Sequence, residues 1–155
     1  MGRLRNYVVL PIAIAERDGS AELQLNAYEQ SSSLLPADEA GVKSWVTEQE
    51  FKVVRSVTVP TMRLDTFMDG AGIESVDYLK IDAQGLDLEV VKSAGDRLRD
   101  VAKVQLEATT VSYRQYVGAP GKSAIVEYME SKGFRLAGEE IQTHGQEANL
   151  TFLRV

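Results

Sequence analysis

At Gly85 the spacing of apolar residues along the chain changes from two to about four, and this switch restricts the fold more than any other feature. Before it, Val76-Asp-Tyr-Leu-Lys80-Ile-Asp82 reads as a strand. After it, Leu86, Val90 and Ala94 recur every four residues, the repeat of one helix face. A strand that turns directly into a helix opens a βαβ unit and calls for a parallel sheet. The flanking segments extend the alternation. Tyr7–Ala15 is continuous and apolar, as a strand covered on both faces tends to be. Asp18-Gly19 signals a tight hairpin into Ser20–Ala27, where Ala21, Leu23, Leu25 and Ala27 alternate with polar residues. Glu29–Gly41 has no period and reads as a loop, and Phe51–Pro60 is extended. Leu64, Phe67 and Met68 fit one face of a short helix closed by Gly70 and Gly72. Val101–Glu107 is again a strand. A helix capped by Ser123 runs to Lys132 with Ile125 and Met129 inward. Phe134–Ile141 and Ala148–Val155 close the chain as a hairpin through His144-Gly145.

With 155 residues the chain has material for one domain with a real core. The 23 acidic residues outnumber the 17 Lys and Arg, giving a net charge of -6 with no basic run. Such a surface repels phosphate backbones, so nucleic acid is not an expected partner. No Cys and a single His leave no thiolate site and no His-based metal centre, and no metal is expected. The apolar run Tyr7–Ala15 is too short to span a bilayer and contains Pro11. Glu16-Arg17-Asp18-Gly19 stands where a leader would need small residues, so no membrane partner is expected and the reading is a cytoplasmic protein.

In doubly wound sheets ligands gather beyond the carboxyl ends of the strands. That rule singles out Ala13 to Glu16, Asp82 to Gly85 and Glu107 to Thr110. Lys80 and Asp82 lie two apart, so their side chains leave one face of the strand. Residue types alone favour a structural ion pair over a carboxylate facing a ligand. Glu107 ends the neighbouring strand and is either a second reactive carboxylate or a solvated one. His144 beside Gly145 reads as a turn residue. Trp45, Tyr113 and Tyr116 offer either an apolar wall for a ring or ordinary packing.

Read in order, Asp77-Tyr-Leu-Lys80-Ile-Asp82-Ala-Gln84-Gly85-Leu-Asp87 resembles the signature of the FkbM-type family of S-adenosylmethionine-dependent methyltransferases, approximately Asp-Phe-Ile-Lys-Ile-Asp-Val-Glu-Gly-x-Glu. Val8 to Gly19 resembles the family's third strand and adenine-side loop, Ser32-Ser33 its serine loop, and Val59-Pro-Thr-Met-Arg-Leu64-Asp65 its Val-x-Thr-x-x-Leu-Asp segment. Val104-Gln-Leu-Glu107 resembles the fifth strand and Gly133-Phe134 the turn before the closing hairpin. Gln84 and Asp87 stand where the family carries Glu. The family's first strand and glycine-rich loop have no counterpart here.

The resemblance implies an α/β fold over residues 1–155, a Rossmann-like class I methyltransferase sheet truncated at its N-terminal side. That sheet is mostly parallel with an antiparallel C-terminal hairpin. It also implies S-adenosylmethionine as cofactor, held by Ala13, Ile14, Ala15, Asp82, Gln84 and Gly85. Asp82, Glu107 and Lys80 would carry catalysis, with methyl transfer to a hydroxyl of a small-molecule or sugar acceptor. The strand edge left bare by the missing units implies a homodimer through that edge. A chain that lacks the glycine-rich loop also suits a second reading, a non-catalytic remnant serving binding or assembly.

Overall fold

The computed structural model describes residues 7–45 and 48–155. In chain order the strands and helices are β1 (Ala13–Ile14), β2 (Gly19–Asn26), α1 (Glu39–Val42), β3 (Val53–Met62), α2 (Leu64–Gly70) and β4 (Leu79–Lys80). There follow α3 (Asp87–Ser93), β5 (Lys103–Thr109), α4 (Lys122–Ser131), β6 (Phe134–Gln142) and β7 (Glu147–Arg154). Short 3-10 turns at Glu29–Ser31, Glu48–Phe51, Gly95–Asp100 and Thr143–Gly145 join them.

The class is α/β, but the strands form two mixed sheets and not one mostly parallel sheet. One sheet has the order β1-β3-β2 and the other β4-β5-β7-β6. Only β1 with β3 and β4 with β5 run parallel. The remaining pairs, β2 with β3, β5 with β7 and β6 with β7, are antiparallel.

The Asp18-Gly19 turn does not make the expected hairpin. Strand β3 lies between β1 and β2, so Gly19 pairs with Thr61 across an antiparallel ladder. The turn is bound to the end of β3. Asp18 Oδ1 accepts from the Arg63 amide at 2.8 Å, and Thr61 Oγ1 donates to the Arg17 carbonyl at 2.9 Å. The buried strand expected over Tyr7–Ala15 shrinks to Ala13–Ile14, since only these two residues find a ladder partner. Tyr7, Val8 and Val9 are 73%, 83% and 80% exposed, with no second layer over them.

The expected strand Val76–Asp82 also shortens to Leu79–Lys80. A lone parallel bridge, Val76 with Val101, and the Ile81 amide donating to Gln105 at 2.8 Å prolong its alignment with β5. Among the described residues one edge of β4 has no partner strand. The stretch expected to be all loop, Glu29–Gly41, contains the start of α1, which Asp38 caps by accepting from the Ala40 and Gly41 amides. Helix α4 begins one residue before Ser123. Gly121 occupies the cap position without a side-chain bond, so Ser123 caps nothing.

Helices α3 and α4 bury their apolar stripes on the four-stranded sheet, and α2 packs against α3 and the Gly95–Asp100 turn in the same core. Met68, Val91, Val104, Leu106, Ile125, Met129, Leu150 and Phe152 are at most 1% exposed. Ile125 and Met129 point inward, as their spacing predicts. At about 1.5–3 kcal/mol for each large side chain fully buried, this core holds the fold together. A smaller core of Val42, Trp45, Phe51 and Tyr116 lies under the segment 110–121. No helix among the described residues is long and apolar enough to cross a membrane.

Candidate functional site

The site is built where β4 turns into α3. Gln84 has φ 49 and Gly85 φ 94, so the chain reverses through two successive left-handed residues. Only glycine fits the second: a Cβ there would lie 2.9 Å from Cδ2 of Tyr116. Left-handed backbone at a non-glycine residue costs of order 1–3 kcal/mol and needs support. Support comes from Ser33, whose hydroxyl donates to the Gln84 carbonyl at 2.7 Å. The Tyr116 hydroxyl donates to the Ser31 carbonyl at 2.7 Å, with Gln84 Oε1 2.8 Å away.

Around this turn stand five carboxyl groups in different environments. Lys80 Nζ pairs with Asp82 Oδ2 at 3.0 Å and Gln84 Nε2 donates to Asp82 Oδ1 at 2.9 Å. Partial burial pulls the Asp82 carboxyl up, but the bonds from Lys80 and Gln84 outweigh it and leave its pKa below the usual value. Burial likewise pulls Lys80 down, and Asp82 more than restores it. Both side chains are about half exposed, 48% and 52%, so the pair adds little stability.

Asp87 is buried, accepting from the Glu107 amide at 3.1 Å and the Ala83 amide at 3.3 Å. It therefore ties α3 to the ends of both parallel strands. Desolvation pushes its pKa up to about 6, against the pull of those two amides. Glu107, on β5, is pushed up to about 8 by burial first and then by the charges of Glu147, Asp82 and Asp87. Glu147, on β7, is also raised, by burial, although Thr143 and Gln115 hydrogen-bond to it. The fifth, Glu50, lines the same polar space as Asp82, Glu107 and Glu147.

Two chambers meet at this turn. An apolar cavity of about 330 Å³ opens between β1 and β4, lined by Ala13, Ile14, Leu79, Ile81, Leu86 and Val90 with Ser32, Ser33, Lys80, Asp82 and Gln84. A polar trough of about 550 Å³ lies on the other side, lined by Tyr28, Gln30, Glu50, Phe51, Asp82, Gln84, Glu107, Gln115, Thr143 and Glu147. Asp82 and Gln84 belong to both.

Ala13, Ile14, Lys80, Asp82 and Gln84 are thus brought to one cavity. Ala15 is not among the cavity's walls; its amide bonds the Met62 carbonyl at 2.9 Å. Gly85 faces Tyr116 instead. Glu107 faces the trough and is no freely solvated carboxylate. Trp45 and Tyr116 are core residues, 4% and 1% exposed, so neither offers a wall to a ring. His144 sits in the turn before β7 with φ 53.

Sequence reasoning missed Tyr28, Phe51, Gln115 and Glu147. Glu147 carries a faint signal, a carboxylate immediately before an alternating apolar strand. Tyr28 and Phe51 carry none, because the chain brings them to the trough through segments without periodicity. Among the described residues no cluster suited to a metal ion occurs.

No curated protein and no solved structure matches the chain. Residues 3–136 match the family described as the Methyltransferase FkbM domain. With most of its length inside that match, the chain belongs to the FkbM methyltransferase domain family.

Proposed function

We propose that the chain binds S-adenosylmethionine in the apolar cavity and directs methyl transfer to a hydroxyl oxygen held in the polar trough. The observation that carries this reading is the shared wall. Asp82 and Gln84 separate a cavity fit for an apolar ring from a trough rich in hydrogen-bonding groups. About 330 Å³ lies within the usual range of ligand pockets, roughly 300–1,000 Å³, and its aliphatic lining suits an adenine ring between Ala13, Ile14 and Leu86. Ionised Asp82 favours a positively charged ligand beside it. When bound, S-adenosylmethionine would supply an electrophilic methyl carbon, its sulfur keeping the electron pair of the bond that breaks.

The protein's part is to hold the acceptor and receive its proton. Asp82, kept ionised by Lys80, is a weak base suited to orienting. Glu107 accepts protons near neutral pH and is the better base. Glu50, Asp82, Glu107 and Glu147 line the trough, and no Lys or Arg among the described residues joins them. Such walls repel phosphate- or carboxylate-bearing acceptors and favour a neutral hydroxyl compound such as a sugar.

Calorimetric titration with S-adenosylmethionine and S-adenosylhomocysteine tests the reading. Micromolar binding is expected, weakened about tenfold (about 1.4 kcal/mol) in Asp82→Ala. Absence of heat at millimolar ligand would sink it and would favour the non-catalytic binding module.

The open edge of β4 and the exposed Tyr7, Val8 and Val9 further support self-association of the chain. Sedimentation velocity is expected to show a dimer that grows with concentration. A monomer throughout would refute it.

A further inference from the structure

In the methyl-transfer reading Glu147 does no more than line the trough, yet it is only 7% exposed. In the ladder between β5 and β7, Glu107 stands opposite Asn149 and Thr109 opposite Glu147. Side chains two apart on a strand share a face, so Glu107 and Glu147 are diagonal neighbours on the trough side. The turn before β7 is shaped around this position. Thr143 and His144 hold φ 45 and 53, left-handed values for non-glycine residues, and Thr143 Oγ1 donates to Glu147 Oε2 at 2.6 Å. Strain of this kind persists where the surroundings impose it, often at working sites.

The other groups facing the pair are mostly acidic or neutral. Asp82 lies beyond β4, Asp87 at the start of α3, and Tyr116 and Gln115 in the segment after β5. Among the groups that act most strongly on Glu107, Lys80 is the one cation, and it is engaged by Asp82. Among the described residues no ion pair reaches either glutamate. Two neighbouring carboxyls, one buried and one half-buried and neither held in an ion pair, are most stable holding one proton between them.

We propose that Glu147 is a positioning residue for Glu107: the two carboxyls share a single proton, and Glu147 sets the pH at which Glu107 takes the proton of the acceptor hydroxyl. The role in methyl transfer rests on the function proposed above; the shared proton does not. In the step itself the hydroxyl proton passes to a Glu107 carboxylate oxygen, and the pair returns it to solvent after product leaves.

The test is a carbon-13 titration of the glutamate side-chain carboxyls in the full chain, followed by NMR, for the unmodified protein, Glu147→Gln and Thr143→Val. The unmodified protein is expected to show two coupled transitions, the later one far above the ordinary carboxylate range. Glu147→Gln is expected to remove one transition and move Glu107 acidward by about one pH unit or more. Thr143→Val leaves both carboxyls in place and strengthens proton retention on Glu147, so Glu107 is expected to move in the same direction by less. It also serves if Glu147→Gln does not fold. A Glu107 midpoint unmoved by the variants, or two ordinary independent titrations, would overturn the proposal. The titration needs no cofactor, so failure of the pair and failure of cofactor binding are read separately.

Discussion

Between about pH 5 and pH 8 the protein is expected to lose stability as pH rises, and Glu107→Gln is expected to remove most of that slope. Glu107 and Asp87 both hold their protons more tightly folded than unfolded, with values pushed up to about 8 and about 6. A carboxyl raised in this way contributes most when protonated in both states, below its ordinary value. The contribution drains away as pH climbs to the folded value. For Asp87 the window runs from about 4 to about 6, and for Glu107 from about 4.5 to about 8. Each extra proton bound by the folded state gives a slope of up to about 1.4 kcal/mol per pH unit. Asp65 and Asp82 are shifted the opposite way and act below pH 4, outside this window. Urea midpoints at about pH 5, 7 and 9 read the effect. In Glu107→Gln the loss between pH 6 and 8 is expected to flatten while the Asp87 portion at lower pH stays. A midpoint that rises with pH in the unmodified protein would contradict the burial of these carboxyls.

Gly41→Ala is expected to cost about 3 kcal/mol or more, because no other glycine in the described structure has a Cβ position so close to a neighbouring atom. Its Cβ would lie 1.7 Å from the Arg114 carbonyl oxygen and 2.9 Å from the carbonyl carbon, backbone atoms with no rotamer to yield. The two segments must separate, and the bond from the Asp38 amide to the Gln115 carbonyl at 2.8 Å goes with them. Trp45, the chain's single tryptophan, is buried beside Val42 and packs edge-on to Tyr113 at 6.0 Å between ring centroids. Its fluorescence therefore reports the smaller core directly. A red shift with a lowered urea midpoint is the expected result. A variant within about 1 kcal/mol of the parent would mean that the segment 110–121 can slide without strain.

Where one side of an element is buried, its residues could be read from the sequence. The four-residue spacing of α3, the inward Ile125 and Met129 of α4 and the alternation of β5 all reflect a periodic apolar face meeting the core. Strand pairing was not legible in the same way. Asp18-Gly19 has the chemistry of a tight turn, but β3, more than thirty residues later, supplies the ladder for both flanking strands. A local signal cannot contain that choice. Pro36 and the serines disguised α1, whose start depends on one bond set from Asp38. In the site, Asp82 and Gln84 were legible because strand ends are where ligands gather in such sheets, whereas Glu107, read as a strand end, lies two residues inside β5. Glu147 was not, because a buried carboxyl is stabilised by a proton and a neighbour far away in sequence, and neither leaves a periodic trace.

The wall common to the two chambers has a thermodynamic consequence. Asp82 and Gln84 face the apolar cavity on one side and the trough on the other, and Gln84 is propped by Ser33 and Tyr116. An occupant that shifts these side chains from one side alters what the other side offers. Linkage then requires reciprocity: whatever factor the first occupant imposes on the affinity of the second, the second imposes on the first. Order of addition can change how quickly a ternary complex forms, but not how much of it exists at equilibrium.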